Sequence, residues 1–421
     1  MNYGKTSMSH RVYSAGLAVR RVLPLALLCL LPVVCAGGCS AQEADPQPAA
    51  QPRLAQAAAA PAAVAGTARP LRKEAGPKKL LNYVSREAPD TAFMRKHIAQ
   101  MEKSPFDGVF FTIKVTKPDG TQGNFMSENW GSHAFTEADF KPALDDIKAT
   151  KFGRFTDNFP LFLTVSTNRD WFDDFSAIMT NARLTASFAR QANKATGGRV
   201  PGILFDGEQY VDKLFTYSAQ RDKATKSWDV YAAQARKRGR ELMEAFQEGY
   251  PDLTVFSALG YSGAWYYVQR GEKLSEQDYG LLAPFMDGMT EAAKGKTKIV
   301  DGYEIGYPLK ANQWRWAYKA MDEDLLGIVA DPIKYRQNTS IGFGTWLDFN
   351  YTTWNVEDVS KNYFTPEEYE GVVRTALELS DEYVWMFTDQ VRWWSEEGKP
   401  VKLPPAYDAA IRRARKGLAP D

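Results

Sequence analysis

Residues 202–208 read Gly202-Ile203-Leu204-Phe205-Asp206-Gly207-Glu208, a short apolar run that ends in two acids. Side chains alternate across a strand, so Leu204, Asp206 and Glu208 share one face while Ile203 and Phe205 share the other. A face packed on helices must be apolar, so the acidic face points to the inside of the sheet this strand joins. Seven further runs of this kind occur at residues 80–84, 108–113, 161–167, 253–259, 298–303, 341–347 and 383–388. Helix-like segments alternate with them. Residues 91–103 follow an Asp90 cap and 137–151 follow Thr136, then come 171–195, 228–250, 279–293, 313–330 and 366–382, and 406–416 closes the chain. Eight β runs, each followed by a helix, predict a single α/β domain, a (β/α)8 TIM barrel over residues 78–421. An open doubly wound sheet is the competing arrangement, but no Gly-rich phosphate fingerprint follows an early strand.

The composition narrows the chemistry. The chain has 421 residues, 44% hydrophobic and 24% charged, which allows a large core and excludes global disorder. Its net charge of +1 offers no basic face, so nucleic acid is not expected as a partner. The three cysteines, Cys29, Cys35 and Cys39, lie in the first forty residues, and the histidines are His10, His97 and His133. A cysteine nucleophile, a disulfide framework and a Cys-rich zinc site are thereby excluded from residues 78–421. Acid–base chemistry falls to Asp and Glu, and no cofactor or resident metal is expected.

The N-terminus reads as an address. Arg11, Arg20 and Arg21 precede an apolar run over residues 22–34, the length of a signal-peptide core and too short to span a membrane. The small residues before Cys39 in Ala36-Gly37-Gly38-Cys39-Ser40 resemble a bacterial lipobox. That resemblance implies a signal peptide over 1–38, lipidation of Cys39, and export to the cell envelope with the membrane reached only through the lipid anchor. Cleavage after Ala41 is the alternative. Residues 39–77, rich in Ala, Pro and Gln, read as a flexible tether.

In a (β/α)8 barrel the active site lies where the strands end. There Asp206 and Glu208 repel each other, which raises the pKa of one and suits it to act as a general acid; ion pairing to Lys or Arg inside the barrel is the bland alternative. After the sixth run, Asp301 and Glu304 have opposite parity, and Glu304 is the better placed for the mouth. Asp348 and Asp389 end the seventh and eighth runs, each as a catalytic carboxylate or a substrate hydrogen-bonding group. Aromatics crowd the segments after strands: Trp130 beside Asn129, Trp171, Tyr210, Tyr261 and Trp265, Trp346, and Trp385 with the pair at 393–394. Rings that cover sugar C–H faces, with carboxylates and amides taking the hydroxyls, make a carbohydrate cleft; packing on the barrel rim is the alternative for any one ring.

With these residues the chain resembles barrel-type glycoside hydrolases. Asp206-Gly207-Glu208 is similar to the end of the family-18 chitinase signature D-G-x-D-x-D-x-E, although Pro201 and Leu204 stand at its two earlier acidic positions. The resemblance implies Glu208 as general acid and Asp206 as the residue that orients the substrate. Trp385 is compatible with the last-strand Trp of that family. The wider superfamily implies Glu208 as acid/base and a later carboxylate as nucleophile, with Glu304 ahead of Asp389. The expected function is therefore an exported glycoside hydrolase acting on a carbohydrate. Two alternatives stay open: a metal-dependent barrel with Asp206, Glu208 and Asp301 as oxygen ligands, and a non-catalytic surface glycan-binding barrel.

Overall fold

A computed structural model describes residues 77–416, except 86, 166–168, 210–211, 270 and 397–400. The leader, Cys39 and the tether up to residue 76 lie outside the described residues, as does Tyr210.

Eight parallel staves form the sheet. They are β1 (Lys79–Val84), β2 (Gly108–Phe111), β3 (Phe159–Leu163), β4 (Gly202–Asp206), β5 (Thr254–Ser257), β6 (Lys298–Asp301), β7 and β8 (Tyr383–Thr388). The seventh stave, β7, consists of Thr339–Ile341 and Phe343–Trp346, with Gly342 between them. Its first half pairs with β6 and its second half with β8, while β1 pairs with both β2 and β8. The sheet is therefore nearly closed, meeting at the two halves of β7, and the expected barrel is what the chain forms. A small hairpin of Lys114–Thr116 and Gln122–Asn124 extends the loop after β2.

Ten α-helices lie among the described residues. They are α1 (Thr91–Met101), α2 (Glu137–Ala149), α3 (Ser176–Ala195), α4 (Trp228–Gly249), α5 (Tyr261–Val268), α6 (Leu282–Ala292), α7 (Trp314–Asp322), α8 (Pro332–Asn338), α9 (Pro366–Leu379) and α10 (Pro405–Lys416). Caps set several of their starts. The Asp90 carboxylate accepts from Phe93 N, and Thr365 forms a reciprocal box with Glu368.

The differences from the sequence reading have local causes. α3 starts at Ser176 rather than at 171, because Asp173 and Asp174 accept backbone N–H groups ahead of it. α6 starts after Tyr279, whose φ of 63° no helix accommodates. The segment 313–330 ends as α7 at Asp322, continues as a short 3-10 stretch, Asp324–Ile328, and is followed by α8 behind Asp331-Pro332. The aromatic stretch after β5, given no element in the sequence reading, is helix α5.

Two apolar layers hold the barrel. Outward residues such as Leu80, Ile203, Phe205, Val255 and Val384 join the core beneath the helices. Inside, rings fill the axis: Phe110 lies 5.1 Å from Phe256, Phe159 lies 5.9 Å from Tyr383, and Phe256 lies 6.5 Å from Trp385. Below them the Tyr383 hydroxyl donates to Asp157, which also pairs with Lys79. The interior is thus a packed core, and open chemistry is confined to the end where the strands finish.

Candidate active site

Strand parity places the first acid. Ile203 and Phe205 lie in the outer core, which turns Leu204 and Asp206 inward. The neighbouring stave fixes the chain beyond Asp206. Thr164 N donates to Asp206 O at 2.9 Å, and Thr164 Oγ1 donates to Glu208 O at 3.0 Å. Glu208 N donates to Asp206 Oδ1 at 2.9 Å, so the second acid is held over the first. Gln209 N then donates to the Tyr279 hydroxyl at 3.0 Å.

Glu304 arrives from β6 through a strained turn. Asp301, fully buried at the strand end, accepts from Ser262 N (3.1 Å), Ser262 Oγ (2.6 Å) and Tyr303 N (3.2 Å). Tyr303 takes a left-handed conformation, φ 47° and ψ 53°, which costs a residue with a Cβ about 1 kcal/mol. The chain then enters the one-turn helix Glu304–Gly306, with Glu304 N donating to Ala258 O at 3.2 Å. This route brings one carboxylate oxygen each of Asp206, Glu208 and Glu304 to within 4.8 Å of one another.

The surroundings of Glu304 disfavour its charge. Burial pushes its carboxyl well above the ordinary carboxylate range, and Glu208 and Asp206 push it further. A hydrogen bond from the Tyr307 hydroxyl to Oε1, 3.1 Å long, works in the opposite direction. Oε2 is shut from solvent with no hydrogen-bond partner among the described residues. The Tyr279 and Tyr307 phenols are both raised by burial first and by the surrounding carboxylates second. A carboxyl placed beside two other acids in this way resists ionisation.

The other expected residues fall into different settings. Asp389 is buried at the end of β8, and its backbone N–H donates to Asp348. Asp348 is fully buried and accepts from the backbone of Asp389, Gln390 and Val391 and from Trp346 Nε1, so it ties the β7 and β8 loops together. Asn129 is buried and donates to Leu163 O at 3.0 Å. Trp130 packs among Phe162, Phe175 and Phe205, beneath the helices. Tyr261 is buried with its hydroxyl on Asp287, whose own carboxyl is raised by burial. Trp265 leans on the exposed Trp316 at 6.0 Å. Trp385 is fully buried, with Nε1 donating to Gly302 O at 2.7 Å, and Trp346 and Trp385 both touch the Tyr307 ring. Asp301, weighed as a metal ligand, faces Ser262 instead, and Glu304 stands in the carboxylate cluster.

Two residues of this site were missing from the sequence reading, Tyr279 and Tyr307. The signal for Tyr307 was its place three residues after Glu304, which puts both on one face of a helical turn. Tyr279 lies 70 residues from the Gln209 it meets, with no local pattern to announce it.

No family model matches this sequence, and no curated protein matches it. Among solved structures, the chain is similar to a GH18 chitinase from Pseudoalteromonas aurantia, with 13% identity, 80% of this chain and 100% of that chain covered, and a TM-score of 0.39. It is similar to active domain 2 of a thermostable chitinase from Pyrococcus furiosus, solved with chito-oligosaccharides, at 9% identity, with coverage of 83% and 98% and a TM-score of 0.41. It is also similar to the exo-beta-1,4-mannosidase Op5Man5 from Opitutaceae bacterium strain TAV5, at 12% identity, with coverage of 82% and 61% and a TM-score of 0.44.

Proposed function

We propose that this protein is a glycoside hydrolase that works with Glu304 and Glu208. The observation that carries the reading is the convergence of Asp206, Glu208 and Glu304 within 4.8 Å at the mouth of the barrel, with burial holding a proton on Glu304. Glycosidases need one protonated and one ionised carboxyl group flanking the bond to be cut. This spacing is nearer the ~5–5.5 Å carboxyl separation of retaining enzymes than the ~6.5–9.5 Å of inverting ones, and so supports attack by a carboxylate.

In this reading the Glu304 carboxyl donates its proton to the glycosidic oxygen as the C–O bond breaks. The Glu208 carboxylate bonds to the anomeric carbon and forms a glycosyl ester. Glu304, now ionised, takes a proton from water, and the resulting hydroxide displaces Glu208 and restores both groups. Asp206, buried beneath them, contributes the charge that keeps Glu304 protonated until the substrate arrives. The proton that the sequence resemblance puts on Glu208 is assigned in this reading to Glu304, whose carboxyl is pushed up by desolvation and by the neighbouring acids.

The full-length protein incubated with a panel of oligosaccharides should release reducing ends. Glu304→Gln and Glu208→Gln should each lower turnover by about 10²–10⁴. Cleavage that survives both substitutions refutes the assignment. The same three oxygens also suit a divalent cation, and this second reading predicts activity lost to a chelator and restored by Mg²⁺ or Ca²⁺. We further propose that the protein is exported and anchored through Cys39.

A further inference from the structure

We propose that one side of the barrel's N-terminal end, away from the mouth, is a docking surface for anionic lipid headgroups; this rests on the proposed anchoring through Cys39. The surface is made by the turns that lead into β2, β3 and β4, together with the end of α10. Hydrogen bonds show that these parts touch. Arg412 donates to Lys103 O and Arg415 to Pro105 O, which joins α10 to the first turn. Arg154 donates to Phe106 O, and Arg199 donates to Gly153 O and Phe155 O, which joins the three turns in a row.

The charge on this surface is one-sided. Its acids are engaged by the protein itself: Glu102 accepts from Gly153 N and Phe155 N, Asp107 accepts from Leu80 N and Arg415, and Asp157 pairs with Lys79. The arginines serve the carbonyls of the turns, which folding explains. Lys103, Lys151, Lys194 and Lys416 have no such duty. All four are exposed, and their side chains make no hydrogen bond or ion pair among the described residues. The helix dipole accounts for a base in a last turn, as with Lys194 in α3. Lys103 and Lys151 lie beyond the ends of α1 and α2. The chain's net charge of +1 hides this local excess, because other acids gather at the mouth.

The partner follows from where the chain joins the barrel. β1 starts at Lys79, whose Nζ donates to Thr156 Oγ1 at 2.8 Å in the turn before β3. The sequence that leads back to Cys39 therefore meets the barrel at this surface. A lipid on Cys39 ties this end of the barrel, and not the mouth, to a bilayer. Lysine ammonium groups act as mobile point charges that meet phosphates without a fixed geometry, which suits a fluid layer of headgroups. Docking in this way adds a contact to the expected lipid anchor and turns the carboxylates of the mouth away from the bilayer.

The test is co-sedimentation of the full-length Cys39→Ser protein, which cannot carry the lipid, with phosphatidylcholine vesicles that contain or lack phosphatidylglycerol. The leader is common to every variant, so differences between variants read the barrel surface. Each base at an anionic leaflet strengthens binding about 5-fold, so Lys103→Gln, Lys151→Gln and Lys194→Gln together should weaken binding to the anionic vesicles about 10- to 100-fold. Binding to the neutral vesicles should not change. A second set, Lys213→Gln, Lys237→Gln and Lys273→Gln, removes the same charge elsewhere and should leave binding as it was. All six lysines are exposed, so both variants should melt with the parent protein. An equal loss with both sets overturns the proposal, as does parent binding that ignores phosphatidylglycerol. Tighter retention on duplex DNA than on the anionic vesicles at the same salt assigns the surface to another polyanion and also overturns it. The mass of the mature wild-type chain reads acylation separately: an unacylated chain overturns the anchor, whereas a vesicle preference abolished by the first set still supports the surface.

Discussion

Replacing Glu304 by Gln should stabilise the protein, and increasingly so as the pH rises. Three carboxylate oxygens share a space of 4.8 Å, and desolvation and the two neighbouring acids raise the pKa of Glu304. Two unit charges at that distance repel by about 3 kcal/mol at an effective dielectric constant near 20. Solvent on the open side of Glu208 screens part of this, which leaves a net of about 1–3 kcal/mol. The sign follows from linkage. A folded-state pKa above the unfolded value favours the fold while the group is protonated, and that advantage is lost as pH rises through the folded pKa. Gln copies the protonated acid and cannot ionise. Melting temperatures of wild type and Glu304→Gln should therefore agree at low pH and separate as pH rises, with the variant higher by about 2 °C per kcal/mol. Differential scanning fluorimetry from acid to mildly alkaline pH reads this directly, without a substrate. A difference that stays flat, or that grows on acidification, refutes the protonated Glu304 and with it the assignment of the acid.

Other tests touch different links of the argument. Tyr307→Phe removes the bond that favours ionised Glu304, so the alkaline limb of the kcat/KM profile should move to higher pH; movement toward acid would contradict the hydrogen bond's role. Asp301→Asn leaves part of the Ser262 and Tyr303 donor set unsatisfied in a fully buried place, and should cost about 1–3 kcal/mol in urea unfolding. Because it loosens the turn that aims Glu304, kcat should fall while KM changes little, whereas a purely structural role predicts unchanged kcat in the folded fraction. Cys39→Ser should leave the protein unprocessed or release it from the envelope; a mature chain that begins at Gln42 without lipid rules out the anchor.

The barrel was readable because its signal is repeated. Each of the eight apolar runs overlaps a stave, and the period-two alternation around Leu204 and Asp206 correctly separates the inner face from the outer one. Elements failed where side chains override the helix signal: Asp173 and Asp174 delay α3, and Tyr279 at positive φ delays α6. The site was legible as far as strand geometry reaches. Asp206 and Glu208 follow from parity and Glu304 from its place just past a strand end, but the left-handed Tyr303 that delivers Glu304 has no period to foretell it. The aromatic count could not sort the rings. Trp130 and Trp385 are both fully buried, one outside the sheet and one on its axis, and only the three-dimensional neighbours tell them apart.

The pairing of β1 with β8 sets a condition on how the chain comes to be folded. Asn82 meets Met386 across 304 residues of sequence, and the register runs the whole length of both strands. A chain that emerges gradually, from a ribosome or through a membrane pore, holds its first strand with one unpaired edge until the last strand arrives. Such an edge is open to pairing with another chain in the interval. Contacts of this separation are slow to form. Loss of the C-terminal forty residues would remove β8 and leave a seven-stave sheet with two bare edges, so protection of the nascent chain and completeness of its end matter more here than in a fold whose neighbours in space are neighbours in sequence.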